Sequence, residues 1–340
     1  MNDSRARIAV VGAGSVGCFI GGHLGEHADV CLIGRERVRR LIADHGMLLT
    51  DLDGGRLQLD ERKVRFDTGM QALGDTSLVL VTVKSGDTAA AARQMASRIA
   101  PGAVVVSFQN GLRNVPTLRE HLPHHIVLAG MVPFNVLHLG HGRLHRASSG
   151  TLMVGRDEKL RPFEPVFRAA GLALELRDDM REVQWGKLLL NLNNPINALS
   201  DLPLRDQLAL RPYRRCLARV QREALRAMDA AGIRPARVTP LPARWMPWLL
   251  EAPDLVFRML ARRMLAIDPL ARSSTWEDMA AGRSTEIDDL NGEVVRLAKA
   301  QGLTAPANAR LIELVRAAEK GDRRVWHRME LWNALREAGR

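Results

Sequence analysis

Through the first half of the chain, short apolar runs alternate with stretches of helical period. Strand-like runs fall at 7–11, 29–33, 77–83, 103–107 and 126–129, with helical patterns at 14–26, 36–45 and 87–99. This alternation predicts a mostly parallel sheet with helices packed on its faces. Residues 132–155 change character. Their apolar positions alternate as in antiparallel strands, with turn signals at 140–142 and 148–150, and they are expected to complete a mixed sheet. A helix over 160–170 and a strand over 173–176 bring the chain to Asp178. Beyond it the strand signals cease. Helical patterns cover 180–198, 208–231, 254–265, 286–300 and 306–320, with one more near the C-terminus. Prolines 235, 240, 242, 247 and 253 interrupt them and predict an irregular connection. The fold class is therefore α/β over residues 1–177, followed by an all-helical domain over 178–340.

The first apolar run ends in Gly12-Ala13-Gly14-Ser15-Val16-Gly17, a G-x-G-x-x-G loop set directly between a strand and a helix. The first glycine permits a tight turn, the second lets backbone approach a diphosphate, and the third lets helix lie close on strand. A diphosphate then meets the unpaired N–H groups of the helix N-terminus. This context makes residues 1–177 a Rossmann-type dinucleotide domain. At the tip of the second strand, where NAD-binding chains usually carry an acidic residue, the sequence reads Gly34-Arg35. A guanidinium there suits the 2′-phosphate of NADP, although Glu36 follows at once. Lys84 and Asn110-Gly111 close two later strands, where open α/β sheets bind ligands.

Composition narrows the picture. The net charge is +11, but arginines are spread along the chain without a dense tract or interleaved aromatics, which argues against nucleic acid. No apolar run approaches the length that spans a bilayer, and the first one leads straight into the glycine loop, so neither a membrane span nor a secretory signal is expected. Cys18, Cys31 and Cys216 have neither disulfide nor metal spacing. A reducing, cytoplasmic setting with buried, inert thiols is expected. No metal is called for.

Of only six lysines, Lys187 opens the helical domain within Trp185-Gly186-Lys187, and Asn191 follows four residues later on the same helix face. Asn193, Asn194 and Asn197 crowd the same stretch, against helix propensity. Farther on come Arg272-Ser273-Ser274 and Thr285-Glu286-Ile287-Asp288, the latter with the form of a helix N-terminus.

In this order the segments closely resemble ketopantoate reductases (2-dehydropantoate 2-reductases), NADPH-dependent reductases of 2-oxo acids. The resemblance runs from Gly12 to about Asn291. It implies that Lys187 is the general acid and that Glu286 binds the resulting hydroxyl and orients the lysine. It also implies that Ser274 and Asn197 hold the substrate, and that Lys84 and Asn110 steady substrate and cofactor at the nicotinamide end. Two extra residues near Asn193-Asn194-Pro195 leave Asn191 and Asn193 as alternatives for the first helix amide. The segment 240–270 is longer than the family pattern, and is read as an amphipathic helix packed on the domain, with a substrate lid or subunit contact as the alternative. Ketopantoate is the first candidate substrate and a homodimer stays open as the assembly. The rival readings are a reductase of another oxo acid or imine, and a nucleotide sensor without turnover.

Overall fold

A computed structural model describes residues 6–261, 268–269 and 271–339. The chain divides into two compact units, Met1–Met180 and Arg181–Arg340. Unit 1 runs β1 (Arg7–Val11), α1 (Ser15–Gly25), β2 (Asp29–Ile33), α2 (Glu36–His45), β3 (Met47–Asp51), β4 (Arg56–Leu59), β5 (Arg65–Asp67), β6 (Leu78–Val81), α3 (Thr88–Ala96) and β7 (Val104–Ser107). It continues with α4 (Asn114–His121), β8 (Ile126–Met131), β9 (Val136–His138), β10 (Arg143–Arg146), β11 (Leu152–Gly155), α5 (Glu164–Ala169) and β12 (Leu174–Arg177).

The main sheet has the order β12-β11-β8-β7-β6-β1-β2-β5. From β5 to β8 every neighbour is parallel; β11 is antiparallel to β8, and β12 parallel to β11. Its central strands are apolar on both sides, as a sheet covered on both faces requires. Ile8, Val10, Leu78, Leu80, Val104 and Val106 enter one core, while Ala9, Val11, Val79, Val81 and Val105 enter the other. Because β1 is bracketed by β2 and β6, the order of the strands reverses there. In register, Val11 pairs with both Ile33 and Val81, and Val81 with Ser107. The four loops that follow these strands therefore leave the sheet in line.

The expectation for residues 132–155 needs correction. Only β11 joins the main sheet. β9 and β10 enter a separate sheet of order β4-β3-β10-β9, in which β10 runs parallel to β3, with Arg143 opposite Leu48. The reason is burial: Met47, Leu49, Leu59, Val136 and Leu144 share one core, so the two distant strand pairs complete each other's apolar face.

Unit 2 is helical throughout its described residues. α6 (Met180–Asn191) leads into it from unit 1, and α7 (Asn194–Ser200), α8 (Leu204–Ala209), α9 (Arg211–Ala230), α10 (Met246–Glu251) and α11 (Asp254–Leu260) follow. Then come α12 (Ser274–Ala280), α13 (Ile287–Ala300), α14 (Pro306–Glu319) and α15 (Arg328–Glu337). The single helix expected over 180–198 is two, because Pro195 belongs in a first turn, where its missing N–H costs nothing, and the chain breaks at Leu192-Asn193. Of the helix expected over 254–265, α11 is present, and 262–265 lie outside the described residues.

The proline-rich connection is organised by a residue that hydropathy would place on the surface. Arg214 is fully buried on α9. It donates to the carbonyls of Leu208, Ala209, Leu250 and Ala252 and to the Asp254 carboxylate at 2.8–3.1 Å, and its guanidinium lies 4.1 Å from the Phe257 ring centroid. All three cysteines are buried and free, and burial pushes the Cys18 thiol up to about 12. Among the described residues no helix is long and apolar enough to cross a membrane.

Candidate active site

The glycine loop in unit 1 divides its labour as the spacing predicts. Gly12 has φ +110°, and a Cβ there would lie 2.5 Å from the Val83 amide nitrogen. A Cβ on Gly17 would come within 2.3 Å of the Gly12 carbonyl oxygen and 2.5 Å of Thr82 Oγ1, so helix and strand touch through its missing side chain. Gly14 is different. It is the N-cap of α1, no side chain caps the helix, and a Cβ there would meet nothing within 4 Å. Protein packing does not demand glycine at this position; a group lying against the backbone would. The loop is fixed from below, since Gly12 N and Ala13 N donate to the Ile33 carbonyl and Thr82 Oγ1 to the Gly12 carbonyl. No acidic side chain occupies the first turn of α1. An open, uncapped helix N-terminus of this kind fits a dinucleotide diphosphate.

At the tip of β2, Arg35 is the N-cap of α2 with its side chain three-quarters exposed, and it reaches across to Asp87 at 3.2 Å. Glu36 is withdrawn. Arg39 and Arg40 hold its carboxylate at 2.7–3.1 Å and pull its pKa down to about 2.

Lys84 ends the loop after β6 and Asn110 the loop after β7. Beneath them lies an amide network that sequence reasoning missed. Gln109 Nε2 donates to the Val83 carbonyl at 3.0 Å and to Thr88 Oγ1 at 2.7 Å, while its Oε1 accepts from Ser107 Oγ at 2.9 Å. Thr88 donates to Asn114 Oδ1, and Asn114 Nδ2 donates to the Asn110 carbonyl at 2.6 Å. Ser85 Oγ donates to that same carbonyl. Two loops some 25 residues apart in sequence are thus tied together. The available signal was a run of small apolar residues ending abruptly in Ser107 and Gln109.

In unit 2, Lys187 and Asn191 both lie on α6. Lys187 as a residue is half-buried, yet its ammonium is desolvated enough to fall from 10.5 to about 8. The Ser-Ser pair, distant in sequence, docks on the break between α6 and α7. Ser273 is the N-cap of α12, its hydroxyl donating to the Asn194 carbonyl, and Ser274 Oγ accepts from Asn194 Nδ2 at 3.3 Å. Asn194, to which the sequence assigned no role of its own, thus contacts both serines.

Two of the expected substrate amides are occupied within the protein. Asn197, fully buried, accepts from the Ser273 amide at 2.9 Å and donates to the Leu202 carbonyl at 2.9 Å. Asn193 exchanges both its amide bonds with Gln207, at 2.9 and 3.2 Å. Of the two alternatives for the first helix amide, Asn193 is thus engaged with Gln207. Glu286 is the N-cap of α13 and only 7% exposed, and its side chain makes no capping bond to that helix.

Residues 8–159 match the family described as "Ketopantoate reductase PanE/ApbA", and residues 179–319 match its C-terminal counterpart, "Ketopantoate reductase PanE/ApbA C terminal". A 2-dehydropantoate 2-reductase from Halobacterium salinarum is 30% identical over 92% of this chain and 99% of its own. A crystal structure of a PanE/ApbA family ketopantoate reductase from Ralstonia eutropha JMP134 is 31% identical, with a TM-score of 0.77 over 94% of this chain and all of that one. D-mandelate dehydrogenase, in a ternary structure with NADH and anilino(oxo)acetate, shares the fold with a TM-score of 0.76 over 92% of this chain and 98% of that one, at 20% identity. With both halves matched in order and relatives at this identity spanning nearly the whole chain, the protein belongs to the ketopantoate reductase family of nicotinamide-dependent oxidoreductases.

Proposed function

We propose that the protein reduces a 2-oxo acid with NADPH, with ketopantoate as substrate and pantoate, a precursor of pantothenate, as product. The observation that carries this reading is Lys187, an ammonium desolvated to a pKa of about 8 on the same helix face as Asn191. Reduction of a ketone places negative charge on its oxygen, and a desolvated cation there both stabilises that charge and neutralises it by proton donation. A pKa near 8 keeps Lys187 protonated at neutral pH while making it a far stronger acid than an exposed lysine. A reduced nicotinamide held by the glycine loop, Lys84 and Asn110 would supply the hydride for the carbonyl carbon. Lys187 Nζ gives its proton to the carbonyl oxygen, which becomes the hydroxyl of the product, and regains one from solvent. Glu286 accepts a hydrogen bond from that hydroxyl and orients the lysine. Asn191 Nδ2 and the hydroxyl of Ser274, steadied by Asn194, hold the substrate's polar end. Asn193 and Asn197 act one step back: Asn193 fixes α8 through Gln207, and Asn197 fixes Ser273.

Gly12, Ala13, Gly14, Ser15, Val16 and Gly17 cradle the diphosphate, and Lys84 and Asn110 steady the nicotinamide end. Arg35 takes the 2′-phosphate. The withdrawal of Glu36 supports NADP over NAD, because the carboxylate next to Arg35 in sequence is already held by two arginines. The test is NADPH oxidation with ketopantoate and a panel of other 2-oxo acids, in wild type, Lys187→Ala and Arg35→Ala. Ketopantoate turnover that falls about 100-fold or more in Lys187→Ala, with NADPH still bound, is the expected result. Turnover confined to another oxo acid or an imine would replace the substrate, and NADPH binding without any turnover would leave a sensor. An unchanged NADPH-to-NADH preference in Arg35→Ala would overturn the cofactor assignment.

A further inference from the structure

Two histidines 96 residues apart in sequence meet on the surface of unit 1. His45 is the last residue of α2, and His141 stands in the turn between β9 and β10. Nδ1 of His141 lies 3.4 Å from Nε2 of His45, with the ring centroids 4.9 Å apart and the ring planes at 88°. Both residues are exposed, so burial of apolar surface does not explain their meeting.

The backbone brings them together instead. Gly46, the C-cap of α2, has φ +65° and Gly142 has φ +71°. A Cβ on Gly142 would fall on the Gly46 carbonyl oxygen, so the two chains touch where side chains are missing. Leu48 N donates to the Gly142 carbonyl at 3.0 Å, beside the first pair of the β3–β10 ladder. His141 itself has φ +48°, a left-handed conformation uncommon for a residue that carries a side chain. Such local departures gather at functional sites more than elsewhere.

The separation of the two nitrogens points to a ligand. Two donors at the ~2.05 Å zinc–nitrogen distance stand about 3.35 Å apart across a tetrahedral angle, and about 2.9 Å apart across a right angle. The observed 3.4 Å is the tetrahedral value. It is longer than the roughly 2.9–3.0 Å typical of a hydrogen bond from an N–H donor. We infer that His45 and His141 form a surface site for a four-coordinate divalent cation, Zn²⁺ by its match to imidazole nitrogen and tetrahedral geometry. Among the described residues no group of three or more histidines, cysteines or carboxylates could hold a metal. Water therefore completes the shell, and the ion binds far more weakly than in a four-ligand structural site. The site lies apart from the residues proposed for the reduction. Its effect is to pin the end of α2, on the main sheet, to the turn of the second sheet.

Calorimetric titration of Zn²⁺ into the tag-free full chain tests this. One ion per chain is expected at this site. His45→Gln and His141→Asn should each weaken binding by about tenfold or more. Asparagine is at home in the left-handed turn that His141 occupies, so the fold there is kept. His124→Gln, at an exposed histidine near His121 and His125, should leave the titration unchanged. By mass action Zn²⁺ should raise the melting temperature of wild type but not that of the double variant His45→Gln/His141→Asn. A second measurement needs no variant. With Zn²⁺ bound, His45 and His141 should be protected from diethyl pyrocarbonate, read by peptide mass mapping, while His124 reacts as before. A wild type that binds no Zn²⁺ overturns the inference and leaves the pair a hydrogen bond between imidazoles. Binding that survives in the double variant or is lost with His124→Gln, or histidine reactivity indifferent to Zn²⁺, overturns it equally.

Discussion

Lys187 ties the proposed reaction to a pH dependence whose sign follows from one cause. Burial disfavours the charged form and brings its pKa to about 8. The acid in the reduction is the ammonium, so kcat/KM for ketopantoate should be flat below about pH 7 and fall tenfold per unit well above pH 8. Oxidation of pantoate, which needs the neutral amine, should rise over the same range. Lys187→Arg, protonated throughout, should lack the basic limb whatever its absolute rate. The pH profiles of both directions decide this, and a basic limb that persists in the arginine variant would remove Lys187 from the proton step. The glycine loop supplies a second contrast. Gly17→Ala drives a Cβ into the Gly12 carbonyl and Thr82, and overpacking of this kind costs about 1–3 kcal/mol of stability. Gly14→Ala enters open space at ordinary backbone angles, so the melting temperature should barely move while KM for NADPH rises about tenfold or more. Equal effects on stability would mean the open space above Gly14 has no ligand to receive.

Among the elements, the proline-rich connection depends on Arg214, whose guanidinium gathers four carbonyls and one carboxylate from α8, α10, α11 and the residues beside them. Lysine can point its charge at only part of that array, and the abandoned carbonyls would be left without donors. Arg214→Lys should therefore cost about 3 kcal/mol or more, read as a lowered urea midpoint. A variant as stable as wild type would show that the segment holds itself. The same comparison explains what could be read from sequence at this scale. The loop from Gly12 to Gly17 was legible because its constraint is local: strand, turn and helix lie within a dozen residues. That Lys187 and Asn191 share a helix was legible for the same reason, since they lie four residues apart. The second sheet was not, since Arg143 pairs with Leu48 across almost a hundred residues and neither strand pair announces the other. The asparagines around Pro195 announced a break in the helix. That Asn197 is bonded to the Ser273 amide and Asn193 to Gln207 could not be read in advance, because both partners arrive from elsewhere in the chain.

At the scale of the whole molecule, the excess of 49 basic over 38 acidic side chains is spread rather than gathered, so it marks no single binding patch. Its consequence is a field. In the proposed reaction ketopantoate brings a carboxylate, and NADPH a diphosphate and a 2′-phosphate, to a positively charged body. Attraction of that kind accelerates encounter and is screened over about 10 Å at 0.1 M salt. It acts before the complex forms and leaves the bound state nearly untouched, because Lys187, already desolvated, is shielded from bulk ions. Raising salt from about 20 to 500 mM should accordingly lower kcat/KM for both reactants several-fold with little change in kcat, and the loss should be steeper for the more highly charged NADPH. Steady-state kinetics across that range separates the possibilities. A fall in kcat itself would move the salt-sensitive step into the active site, whereas constant kcat/KM would make the +11 a matter of composition, with recognition left entirely to Arg35, the glycine loop and the groups around Lys187.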